Sequence, residues 1–234
     1  MGTRGAVAIG AGLGLLAVAV IVAMTMAGLV SGSAGQSQPP QGPVVVILTA
    51  PDESGVVLPR VIDVYSPLGA ITTVRSVDPS SPATVSGTTA STLSDAYSFG
   101  GPNAVVSALG SSIGAEKAGW AVVGPEAWQA LVGSDTVHLD LPQGMQVFDG
   151  AQLYAFSAGP QDVPADQIAP LFDGVTYLSA ADQKAVREQV GDVLASRLAS
   201  STPAQAAALQ SPFEADALQK WLSSLGSPRR SEAQ

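Results

Sequence analysis

The chain has 234 residues, with 19 acidic against 10 basic side chains, a net charge of −9 and no cysteine. An acidic chain lacks the basic surface that nucleic acid requires, so nucleic-acid binding is excluded. The absence of cysteine excludes disulfides, thiolate nucleophiles and cysteine metal sites.

Residues 1–5 carry Arg4 and read as a short cytoplasmic amino terminus. Residues 6–30, AVAIGAGLGLLAVAVIVAMTMAGLV, hold no charge and a single polar side chain, Thr25. Twenty-five apolar residues suffice to span a bilayer with some tilt, and they exceed the ~7–15-residue apolar core of a signal peptide. The segment is therefore predicted to be an uncleaved transmembrane helix. Gly10 and Gly14 give it a GxxxG spacing, in a stretch so rich in small residues that the match carries little. Arg4 precedes the span and the next basic residue is Arg60, so the positive-inside rule places the rest of the chain outside the cytoplasm.

Residues 31–43, SGSAGQSQPPQGP, read as a flexible linker. VVVILTA (44–50) is an apolar run of strand length, suited to a strand covered on both faces. Strands at 57–66 and 70–78 follow, joined by a Pro-Leu-Gly turn, with Pro59 confined to an edge or a late start. After a loop (79–91), a short helix is predicted over 88–97. Gly100-Gly101-Pro102 breaks it, and a second helix runs from Pro102 to about Ile113.

WAVVG (120–124) reads as a buried strand, PEAWQALVG (125–133) as a short helix ended by Gly133, and TVHLDLP (136–142) as a half-exposed strand. FDGAQLYAFSAG (148–159) is read as a turn and short helix, and residues 163–174 as a helical piece interrupted by Pro170. The longest helix, 179–200, has Ser179 as N-cap and an apolar stripe of Val186, Val190, Val193, Leu194 and Leu198. Residues 201–234 form a linker, a short amphipathic helix with Phe213, Leu218, Trp221 and Leu222, and a polar basic tail. Strands alternating with helices imply an α/β domain over 44–200.

Local motifs bring no chemistry. There is no P-loop or HExxH signature. The single histidine, His138, has no clustered partner for metal or catalysis. Asp52-Glu53 and the scattered aspartates sit at turns and caps, their ordinary location.

The order of segments resembles the LytR-CpsA-Psr (LCP) family of cell-wall glycopolymer ligases. LSDAYSFGGP followed by a helix is similar to the family's KLNAAYAFGGP-like segment. GWAVVGPEAWQALVGSDTVHLDLP follows its YVVVNFDGFKKLVDALGGV…VDVP pattern, FDGAQLYAFSAG its LDGEQALAYVRTR, and DQKAVREQVGDVLASRLA its final helix. The resemblance covers about 44–200 and implies a central mixed sheet flanked by helices, hung outside a bacterial membrane from one span. It also implies a site for a polyprenyl diphosphate-linked polymer, with arginines on the phosphates and carboxylates on Mg²⁺.

The chain departs from the family where that chemistry sits. The SIPRDT-like turn falls on Ser76–Ser81, so the expected arginine is Pro79 and the adjacent aspartate is Ser80, with Asp78 displaced. The RTR-like pair falls on Ser157 and Gly159, and the metal-binding segment is only shadowed by Thr49-Ala50-Pro51-Asp52-Glu53. Lys184 and Arg187, three residues apart on one helix face, remain as the candidate phosphate contacts. No catalytic residue, metal ligand or cofactor is assigned, and Mg²⁺ belongs only to a phosphotransferase reading with a rearranged site. The expected partners are the cytoplasmic membrane, a polyprenyl-phosphate lipid or cell-wall glycopolymer, and an active paralogue or the cell-wall machinery.

Overall fold

The computed structural model describes residues 35–68, 71–114 and 118–231. The terminus predicted to be cytoplasmic and the predicted span (1–30) lie outside the described residues. Among the described residues no helix is long and apolar enough to cross a membrane.

The central sheet holds β1 (Val44–Pro51), β2 (Val57–Leu68), β3 (Ile71–Val77), β4 (Gly119–Val123) and β9 (Arg229–Arg230) in the order β4-β1-β2-β3-β9. β1 runs parallel to β4 and antiparallel to β2, while β3 is antiparallel to β2 and parallel to β9, so the sheet is mixed. Alternate residues of β1 serve two cores, as period-2 strand geometry demands. Val45 and Ile47 join Ile62, Val64 and Val122 beneath helix α1 (Leu93–Leu109). Val44, Val46 and Leu48 join the larger core on the other face. There α2 (Pro125–Val132), α3 (Ile168–Val175), α4 (Ala180–Ala199), α5 (Pro203–Ala207) and α6 (Ala215–Ser224) contribute. Two small antiparallel pairs complete the domain: β5 (Thr136–Leu141) with β8 (Gly159–Pro164), and β6 (Met145–Phe148) with β7 (Leu153–Phe156).

Pro59 is accommodated at a bulge. Leu48 pairs with Val61 and Thr49 with Pro59, which leaves Arg60 as the extra residue of β2. β3 covers β2 only from Ile62 onward, so Pro59 has a strand on one side alone, as a residue without an N–H requires.

Several expectations are corrected. The helix predicted from residue 88 starts at Leu93, because Thr92 and Asp95 form a reciprocal capping box there. Residues 153–156 are a strand and not a helix. Asp149 Oδ1 accepts from the amides of Ala151 and Gln152 at 2.9 Å, and Gly150 takes φ 91°, so the chain reverses. Phe156 then packs beside Met145 and Val147 in the core. Pro170 does not interrupt its helix. It occupies the first turn of α3, where a missing N–H costs no helical bond.

The longest helix follows expectation, with Ser179 Oγ accepting from the Asp182 amide and Val186, Val190, Leu194 and Leu198 buried. Both flanking segments are more structured than their composition suggests. Gln36 bridges to Phe213, and Arg229–Arg230 extends the sheet edge. Tyr65 meets Trp221 of α6 edge-on at 5.9 Å, so the amphipathic helix docks on its own domain.

Candidate functional site

A cavity of about 370 Å³ opens between the sheet and the first half of α4. β2 supplies Val61 and Ile62, and β3 with its following turn supplies Ser76, Val77 and Asp78. α4 supplies Ala180, Ala181, Lys184 and Arg187. Positions 180, 184 and 187 recur at i, i+4, i+7 and therefore share one helix face. Alanines on the first turn keep that face thin, which leaves the space open.

The structure thus brings the two candidate residues, Lys184 and Arg187, to one cavity, and both meet carboxylates of the protein. Arg187 Nη1 lies 3.1 Å from Asp78 Oδ2, and its Nη2 donates to Gln183 Oε1 at 2.9 Å. Lys184 Nζ donates to Glu188 Oε1 at 2.8 Å. Asp78 is fixed from behind by the Ser80 amide and hydroxyl, both at 2.8 Å from its Oδ1. Burial pushes the Asp78 carboxyl up, but Ser80 and the Arg187 guanidinium outweigh it and hold the group below its ordinary range. Burial draws Arg187 down, against the pull of Asp78. The charges of Arg187 and Asp78, both at the cavity, cancel, and that of Lys184 is balanced by Glu188, its neighbour one turn on along α4.

The other sequence candidates lie elsewhere or cap their own turns. Asp52 Oδ1 accepts from the amides of Ser54 and Val56, each at 2.9 Å. His138 on β5 faces its cross-strand partner Asp162, Nδ1 to Oδ1 3.0 Å, with its side chain largely exposed. Ser157 and Gly159 mark the β7–β8 junction and do not line the cavity. Among the described residues no group of three or more His, Cys, Asp or Glu is placed to hold a metal ion.

The Gly-Gly-Pro break is an element of fold. Gly101 adopts φ 62°, ψ −157°, a conformation essentially reserved for glycine, and a Cβ there would meet nothing within 4 Å. Conformation and not close approach fixes the residue. Gly101→Ala is expected to cost about 1–3 kcal/mol of stability, read as a lower urea midpoint with no change in ligand binding.

Two buried ion pairs escaped sequence reasoning. Arg60 donates to Asp173 Oδ1 at 2.6 Å and to the Pro51 carbonyl at 2.8 Å. Arg230, from the tail, reaches Asp63 of β2, Ser76 of β3 and Asp192 of α4. The available signals were an aspartate inside the apolar run VIDVY and an arginine beside Pro59.

No family model and no curated protein matches the chain. Solved structures do. A LytR-Csp2A-Psr enzyme from Actinomyces oris superposes with TM-score 0.56 at 14% identity, over 85% of this chain and 87% of that one. B. subtilis TagV gives 0.54 at 13% identity, over 81% and 84%. TagT bound to LI-WTA gives 0.52 at 11% identity, over 84% and 79%. At such identities the likeness is one of architecture, and the mixed sheet between helices described above has the fold of the LytR-CpsA-Psr enzymes.

Proposed function

We propose that this chain is a membrane-anchored, extracytoplasmic binding or scaffold module of the cell envelope, built on the LCP fold and without glycopolymer-transfer activity. Its ligand is an amphiphile with a phosphate head, a polyprenyl-phosphate lipid or glycopolymer precursor. The apolar portion enters the cavity between β2, β3 and α4, and the head meets Lys184 and Arg187. The observation that carries this reading is an apolar cavity rimmed by two cations whose charge is already balanced.

Transfer from a diphosphate needs a surplus of fixed positive charge where negative charge develops, and each such donor is worth about 10²–10³ in rate. With Asp78 and Glu188 opposing Lys184 and Arg187, that surplus is missing. Binding is less demanding, because a head group has only to displace one carboxylate. A cavity of about 370 Å³ lies at the small end of ligand pockets, which run to about 1,000 Å³. It suits a head group and the first part of a chain. The LI-WTA carried by TagT supports a glycopolymer-type ligand for this fold. No cofactor enters the binding reading, and Mg²⁺ would enter only with turnover.

Native mass spectrometry of the full chain in lipid nanodiscs with added polyprenyl phosphate tests the proposal. A one-to-one adduct that Lys184→Ala/Arg187→Ala abolishes is expected. A bare protein mass would replace it with a scaffold for an active paralogue or the cell-wall machinery. Mg²⁺-dependent consumption of a polyprenyl diphosphate-linked glycan would overturn it in favour of phosphotransfer.

The rim pairing also predicts a gain. Asp78→Asn frees Arg187 and should tighten polyprenyl phosphate about tenfold, roughly one charge-assisted hydrogen bond. Since Asp78 titrates below its ordinary range, the wild-type pair persists at neutral pH and is lost as pH falls through that lowered value. A titration carried from neutral pH down past the ordinary aspartate value of about 3.9 should show adduct formation strengthening only at its acid end in the wild type, and a flatter response there in Asp78→Asn.

A further inference from the structure

We propose that Arg230 is the stop that sets how long a lipid chain this protein accepts. The role rests on the amphiphile-binding reading above and fixes the depth of that same site.

The cleft between α4 and the β2–β3 pair does not end with the first cavity. A second cavity of about 490 Å³ lies between the later turns of α4, β3 and residues 226–230. Residue order along each element shows one cleft interrupted. On β3 and its following turn the first cavity takes Asp78 and Ser76 and the second takes Val74, alternate residues of one face. On α4 the first runs from Ala180 to Arg187 and the second from Asp192 to Ser200 at the helix end.

The Arg230 guanidinium fills the interval. Nη1 donates to Ser76 Oγ at 2.5 Å, and Nη2 donates to the Glu188 carbonyl at 3.0 Å and to Asp192 Oδ1 at 2.6 Å. The group therefore spans strand and helix between the two cavities. Asp63, on the β2 face that also holds Val61 and Tyr65, backs it from the sheet at 3.5 Å. Gly191 leaves the room, since a Cβ there would crowd Arg230 Nη2 and Asp63 Oδ2.

The second cavity has a floor for an apolar chain. Val74 and Ala195 are buried and Ala199 is half-buried, while Asp192, Ser196 and Ser200 stand exposed on its rim. The Ser200 hydroxyl is occupied within its own helix, donating to the Ser196 carbonyl at 3.0 Å. Joining the two cavities would more than double the space beside α4. A prenyl chain entering past Lys184 and Arg187 cannot push the guanidinium aside, because Asp63, 0% exposed, would lose its counter-charge. The chain stops at Arg230, and the second cavity stays out of its reach.

Geranyl and geranylgeranyl phosphate, of two and four isoprene units, are titrated against the full chain in lipid nanodiscs by native mass spectrometry. The quantity read is the affinity ratio of the longer to the shorter ligand, compared between proteins so that partition into lipid cancels. Arg230→Ala/Asp63→Asn removes the guanidinium without stranding the carboxylate. It should raise the ratio about tenfold over the wild type, the gain from burying roughly two more carbons of chain. A structural role alone would weaken both ligands alike, and an unchanged ratio overturns the stop. Ala199→Leu in the otherwise native chain, which keeps the ion pair, should leave the ratio where it is. A lower ratio there means that the chain already passes Arg230, and it overturns the stop whatever the double variant does. If neither prenyl phosphate binds the wild-type chain, the amphiphile reading falls and the stop falls with it.

Discussion

Arg230→Ala is expected to lower unfolding stability by about 3–5 kcal/mol, the usual cost of stranding one partner of a buried ion pair. Its partner Asp63 is 0% exposed on β2. Ser76 donates to Asp63 Oδ1 at 2.5 Å and accepts from Arg230 Nη1. The same guanidinium donates to Asp192 Oδ1 at 2.6 Å and to the Glu188 carbonyl at 3.0 Å. The mid-helix glycine at 191 belongs to the arrangement: a Cβ there would collide with Asp63 Oδ2 and Arg230 Nη2. Without Arg230, the buried Asp63 keeps only its bond from Ser76, which also lines the cavity beside α4.

The sign of the pH response follows. Burial raises the Asp63 carboxyl above its ordinary value, with Arg230 and Ser76 pulling it back. A carboxyl whose folded pKa exceeds the unfolded one favours folding when protonated, and that contribution fades as pH rises through the folded value. Removing Arg230 moves the folded value higher still. Arg230→Ala should therefore regain stability on acidification from neutral pH, and Asp63→Asn placed in that background should recover part of the loss. A double-mutant cycle followed by urea unfolding measures the coupling. A cycle with no coupling would make the tail an ornament of the edge strand.

What was legible in the sequence was whatever local periodicity controls. β1 reads as a buried strand because its apolar run is uninterrupted, and α4 reads as a helix because Val186, Val190, Leu194 and Leu198 repeat on one face. The Gly100-Gly101-Pro102 break was visible for the same local reason. Segments whose state depends on distant partners were not. Leu153–Phe156 has helix-compatible residues and becomes a strand only because Met145–Phe148 lies beside it. SPRRSEAQ looks like a solvated tail, yet Arg230 reaches across 167 positions of sequence to Asp63. For the candidate site, Lys184 and Arg187 were visible as a helix face. Their neutralisation by Glu188 and Asp78 was not wholly so: the first pair is local and readable, the second joins α4 to the turn after β3.

Arg60→Ala should be the second costly change, again about 3–5 kcal/mol, and it bears on the metal question. Arg60 is the bulged residue of β2, and the bulge sets its guanidinium against Asp173 and the Pro51 carbonyl. Those groups border residues 49–53, where the resemblance to the phosphotransferases places the Mg²⁺ ligands. A fixed guanidinium there opposes a second cation, and Asp52 is already occupied with the Ser54 and Val56 amides. Burial raises the Asp173 carboxyl, Arg60 lowers it, and Asp52 adds to the rise. In Arg60→Ala the surviving acid should thus be relieved by protonation, with stability improving as pH falls. Replacing the pair by Arg60→Met/Asp173→Leu should be near neutral, because desolvation of both charges is then avoided. Millimolar Mg²⁺ should not raise the melting temperature of Arg60→Ala. A clear Mg²⁺-dependent rise would mean that Asp173 and Asp52 can form a cation site once the guanidinium leaves, and would count in favour of the phosphotransferase reading.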